Sequence, residues 1–117
     1  MITVVINNKT YAVPEINFGA IRSLESHGYS IMKLADFENY AFAALNAFTC
    51  FVAKVDEDEA DRLLQQHFLG GGSFDSIFEA FGKALDESDF FNKLVEQMKK
   101  EEPEKKPSKK NTNASQN

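Results

Sequence analysis

The sequence has no Trp, a single Cys and only two His among its 117 residues, and each shortage removes a class of chemistry. One cysteine, Cys50, cannot form an intramolecular disulfide. It lies in the apolar run Ala41 to Ala53 and reads as a small buried hydrophobe. A reactive thiol would need a cationic or helix-N-terminal setting, and the flanking residues supply neither. His27 and His67 have no Cys or second His at ligand spacing, so no metal site is expected. Gly-x-Ser-x-Gly and the other nucleophile motifs are missing. Gly82-Lys83 is followed by Ala84, where a phosphate loop needs Ser or Thr. The acidic run Asp56 to Asp61 fails as a calcium loop: Ala60 takes its fifth position, Asp61 stands at the turn glycine and His67 at the bidentate Glu. These absences predict a chain that is not an enzyme and has no catalytic residue, cofactor or metal.

Long apolar runs are also missing. The longest, Tyr40 to Ala53, is interrupted by Asn46 and Thr49 and falls short of the ~20 residues of a membrane span. Met1 to Ile6 lacks the basic region and apolar length of a signal peptide. A soluble, intracellular protein without a membrane partner is expected. Positive charge is scarce in most of the chain. Residues 1–98 carry seven basic side chains against fifteen acidic ones, within an overall net charge of −5. Such a body repels phosphate, so nucleic acid is not an expected partner. Residues 99–117 reverse the balance with six Lys against three Glu, a pattern typical of a solvated segment.

What is present changes period at Pro14. Ile2 to Ile6 is β-branched throughout and suits a strand. Asn7-Asn8-Lys9 supplies turn chemistry, Thr10 to Val13 returns as a second strand, and Pro14 ends it. Helices follow. Asn17 caps the first, Phe18 to Ser26, with Gly28 in the left-handed position after it; Tyr29 to Ala35 reads as a loop. Asp36 is placed to cap a second helix, Phe37 to about Lys54, which is apolar nearly all round. Acidic residues 56–59 open a third, whose face is Ala60, Leu63, Leu64, His67 and Phe68. Gly70 to Gly72 stops it. Ser73 caps a fourth helix with Phe74, Ile77, Phe78, Phe81 and Leu85 on one stripe, and Ser88 caps a fifth bearing Phe90, Phe91, Leu94, Val95 and Met98. The expected fold is mainly α: an N-terminal β-hairpin and about five helices in one domain over residues 1–98, then a disordered Lys-rich tail over 99–117.

Eleven Phe residues are many for this length. Most belong to the core, but the all-round apolar second helix carries more large side chains than one face can bury. The expected interaction surface is therefore Phe37, Tyr40, Phe42, Phe48 and Phe51 on that helix, with Phe90 and Phe91 on the fifth. Self-association is expected through one of these faces.

Four segments together resemble the tail assembly chaperones of long-tailed bacteriophages, the Gram-positive siphophage type related to the lambda G protein. They are the hairpin opening Ile2 to Tyr11, the Phe-Gly-containing first helix Asn17 to Glu25, the Gly-stopped helix Leu64 to Gly72, and the late acidic segment Ala84 to Phe91. The chain departs from the pattern at Ala12-Val13-Pro14, where a charged or Gly-rich second strand is usual. The resemblance implies a homo-oligomeric prophage or siphophage protein of the host cytoplasm, absent from the mature virion, that binds the tape-measure protein and keeps it soluble. It also implies a longer form, made by frameshifting near the Lys codons, that would reach the tail-tube protein. The competing readings are a structural factor such as a head–tail connector component and, less well supported by the residues, a small enzyme.

Overall fold

The computed structural model describes residues 1–30 and 39–101, with the backbone alone for 98–101. Two strands, β1 (Thr3–Ile6) and β2 (Lys9–Ala12), form an antiparallel hairpin. Five helices follow: α1 (Phe18–Ser26), α2 (Ala41–Ala53), α3 (Glu57–Leu69), α4 (Phe74–Asp86) and α5 (Asp89–Glu101). This is the mainly α architecture with an N-terminal hairpin that the change of period predicts. Asn39 and Tyr40 are turn and bend, so α2 begins at Ala41 rather than at the expected Phe37, and the helical backbone of α5 runs to Glu101, past the expected start of the tail at 99. Phe37, the Asp36 cap and residues 102–117 of the tail lie outside the described residues.

The hairpin turn is tighter than the sequence suggests. Lys9 pairs with Ile6 inside the ladder, leaving Asn7 and Asn8 as a two-residue loop. Both have positive φ (52° and 66°), the type I′ geometry whose twist matches the strands and which Asn tolerates. Alternation puts Val4 and Ile6 on the buried face and Thr3 and Val5 outside. Two strands alone are marginal in water, and here β1 packs against α3 and α4 while β2 touches α2.

The helices begin and end where local chemistry dictates. Asn17 Oδ1 accepts the Ala20 N–H at 2.9 Å, Asp56 Oδ1 that of Glu59 at 2.9 Å, and Ser73 Oγ that of Asp75 at 3.0 Å. Gly28 (φ +93°) closes α1. Its N–H bonds Glu25 O, and Tyr29 N–H bonds Leu24 O, the paired closure of a Schellman motif. That closure turns Tyr29, which lies in loop as expected, into the core, where it is almost fully buried. Ser88 caps α5 through the Phe91 N–H at 3.0 Å and donates its own hydroxyl proton to Ile16 O. One buried hydroxyl thus joins the hairpin–α1 connection to the start of α5.

The core gathers Val4, Ile6, Ile16, Leu24, Leu45, Phe48, Ile77 and Phe81 into one cluster. Phe48 stacks on Phe81 with ring centroids 4.7 Å apart. The later turns of α2 are central, as all-round apolarity implies, with α1, α3, α4 and β2 packed about the helix.

His67 is buried too, beside Thr49 and Ser88 the largest of the polar side chains in this interior. Its Nδ1 accepts the Asn7 backbone N–H at 2.9 Å, and its Nε2–H donates to Ser73 O at 3.0 Å. The neutral ring therefore ties the hairpin turn to the α3–α4 connection. Gly72 lies against the same ring. A Cβ there would sit 2.5 Å from His67 Nε2, so this glycine is needed for close approach, beyond its role as a helix stop.

Gly72→Ala should lower the unfolding free energy by about 1–3 kcal/mol through overpacking on His67. Ser88→Ala should cost about 1–2 kcal/mol from the lost cap. Gly82→Ala is the contrasting case: it is within α4, and its Cβ would meet nothing within 4 Å, so it should gain roughly 0.5–1 kcal/mol. Urea denaturation monitored by circular dichroism measures all three.

Candidate functional site

The described residues leave one concentrated aromatic surface. Helices α2 and α3 are joined by Lys54 to Asp56, and Asn46 Nδ2 reaches back to Glu57 O at 3.1 Å and Asp61 Oδ1 at 2.6 Å. The two helices therefore run antiparallel, bringing the start of α2 beside the end of α3. The α3–α4 connection then delivers Phe74 to the same place. Phe42, Phe68, Leu69 and Phe74 wall a groove of about 540 Å³ whose floor includes Leu45 and Leu64 and whose rim includes Asp61 and Gln65.

The rings contact each other. Phe68 and Phe74 are stacked at 5.1 Å, and Phe42 meets Phe74 edge-on at 6.3 Å. Phe74 is half-buried against the core, but its neighbours remain open to solvent: Phe42 is 76% exposed, Leu69 74% and Phe68 58%. A contiguous apolar patch of this kind on a small protein marks a contact surface more often than isolated exposed side chains do. The groove's chemistry is that of a binding surface, suited to aliphatic or aromatic side chains and holding no nucleophile–base pair.

The expected interaction residues divide among several environments. Phe42 is on the groove. Tyr40, 38% exposed, is the N-cap residue of α2, and Phe51 is half-buried against the core. Phe48 is corrected outright: at 1% exposure it is a core residue stacked on Phe81 and offers nothing to a partner. Phe91 is also half-buried against the core. Phe90 forms a separate exposed pair with Phe18 of α1, edge-to-face at 6.1 Å. Sequence reading placed Phe68 on the buried face of α3 and missed Leu69 and Phe74 as surface. Phe68 does follow Leu64 along the inward stripe, but the last turn of α3 lies where the covering start of α2 leaves it open. That ending is a tertiary fact without a periodic signal.

The titratable groups do not converge on a reaction centre. Burial pushes the Cys50 thiol up to about 11, and the nearby acids Glu57, Asp56 and Asp61 add to the rise; this is the opposite of nucleophile activation. The hydrogen bond to the His27 ring holds Glu57 below the usual carboxylate range, and pairing with Arg62 does the same for Glu59. No helix of the described residues is long and apolar enough to cross a membrane.

Phe68→Ser combined with Phe42→Ser should leave the unfolding free energy within about 1 kcal/mol of the parent, because both side chains are already solvated. Phe48→Ala should lose roughly 3–5 kcal/mol. Light scattering at micromolar concentration should give a mass above one chain for the parent and a smaller mass for the double variant. A parent that stays monomeric, or an unchanged mass in the variant, would remove the groove from self-association.

Comparison with family models, with curated proteins and with solved structures finds no match for this chain.

Proposed function

We propose that this chain is a bacteriophage tail assembly chaperone that binds the tape-measure protein and keeps it soluble while the tail is built. The observation that carries the reading is the solvent-open Phe42–Phe68–Leu69–Phe74 groove on an otherwise acidic body. The order of hairpin, capped first helix, Gly-stopped third helix and late acidic segment supports it, being the order on which the family resemblance rests.

The physical basis is complementary surfaces. An extended, amphipathic client helix exposes an apolar stripe until the tail tube encloses it. Side chains at i, i+3 or i+4, and i+7 of such a stripe can lie in one groove, each large apolar group contributing roughly 1.5–3 kcal/mol when fully covered. The chaperone's negative charge then keeps the complex dispersed. In the free protein the same surface is shielded by self-association into a homo-oligomer, and client binding competes with it. The chain works in the cytoplasm of the infected or lysogenic host and leaves before the virion is complete. It performs no catalysis. A frameshifted longer form would carry the additional contact to the tail-tube protein.

The test is co-expression with the tape-measure protein encoded beside it, followed by pull-down at low and high salt. The client should co-purify at both, because apolar contact is little screened while exposed charge pairs are. Phe42→Ser with Phe68→Ser should release it. Absence of co-purification at either salt, or stoichiometric presence of this chain in finished particles, would favour a structural component such as a head–tail connector.

A further inference from the structure

At the closed end of the α2–α3 pair, away from the groove, the fold joins three residues from the ends of three different helices. His27 is the C-cap of α1, Cys50 lies in α2, and Glu57 opens α3. His27 Nδ1, Cys50 Sγ and a Glu57 carboxylate oxygen all lie within 4.8 Å of one another. We propose that these three atoms form a binding site for a borderline divalent transition-metal ion, zinc foremost, with solvent completing the coordination.

The donor set selects the class of ion. Imidazole nitrogen, thiolate and carboxylate together suit zinc and its neighbours, whereas calcium and magnesium take oxygen ligands. Metal–ligand bonds of about 2.0–2.3 Å separate neighbouring donors by roughly 3–4 Å, so the trio needs only small side-chain adjustments. The His27–Glu57 hydrogen bond, now 2.6 Å, is the contact that must open.

The surroundings favour a cation. Cys50 forms the buried floor, while the partly exposed His27 and the exposed Glu57 leave a path from solvent. Asp56 and Asp61 add negative potential around the thiol. Asn46 braces the site: its amide nitrogen bonds Glu57 O and Asp61 Oδ1, and its Oδ1 accepts from the Cys50 thiol at 3.6 Å. Proton balance is simple. The thiol proton leaves to solvent as the metal–sulfur bond forms, and the imidazole adopts the tautomer with its proton on Nε2, which frees the Nδ1 lone pair. The bound ion staples the end of α1 to α2 and the start of α3 without touching the groove, so the site stands or falls independently of the chaperone reading.

Cobalt titration of the metal-free full chain tests this directly. One equivalent should produce a thiolate-to-cobalt charge-transfer band that zinc then bleaches, and zinc should raise the melting temperature in a chelator-reversible way. Cys50→Ser should abolish the band. His27→Gln and Glu57→Gln alter solvent-facing groups and should fold normally while weakening cobalt binding tenfold or more. No charge-transfer band in the parent, or a band of undiminished affinity in the His27→Gln, Glu57→Gln double variant, would overturn the site. The double variant decides the matter even if Cys50→Ser fails to fold.

Discussion

The two hydrogen bonds of the His67 ring set the geometry on which the rest of the structure depends. A buried imidazole must satisfy both nitrogens or forfeit their hydration. Here one nitrogen takes the backbone N–H of the hairpin turn and the other gives its proton to the carbonyl that precedes α4. Hairpin, α3 and α4 are thereby held at one point. Gly72 lets the chain pass close over the ring, and Phe74 emerges stacked beside it at 6.4 Å. With His67 turned inward, the next two residues, Phe68 and Leu69, close the helix beyond the cover of the core. The same junction that satisfies a buried polar group therefore builds the aromatic groove.

A chain of this size can complete only one modest core, and α2 shows how that limit shapes the surface. Its later turns are enclosed on several sides and supply Phe48 to the central stack. Its first turn projects past the core and leaves Phe42 in solvent. The α2–α3 pair thus has two unlike ends. The open end is aromatic and suited to apolar contact; the closed end is polar, acidic and brings together nitrogen, sulfur and oxygen donors. The Phe18–Phe90 pair forms a separate exposed contact between α1 and α5.

Much of the fold was legible because its signals are local. Asn17, Ser73 and Ser88 cap helices as their side chains lead one to expect, acidic residues open α3, and the β-branched opening forms the hairpin. What the sequence does not show is where one element meets another. The type I′ turn draws Lys9 into the ladder, and the Schellman closure buries Tyr29. Phe48 and Phe42 are six positions apart on one apolar helix, yet one is central and the other solvated, because covering elements end between them. Phe68 shares a stripe with Leu64 but not its cover. His27, Cys50 and Glu57 escape any spacing rule, since three helices are needed to unite them.

The exposed groove is the feature on which the proposed binding function rests, so its occupancy is the direct test. Amide hydrogen exchange of the full chain, measured with and without a helical tape-measure segment, reads that occupancy residue by residue. Protection should rise at the start of α2, the end of α3 and residues 70–74, with little change along the hairpin or at the α2–α3 connection. Protection confined to the Phe18–Phe90 face, or an unchanged profile with the segment bound, would contradict a function carried by the groove.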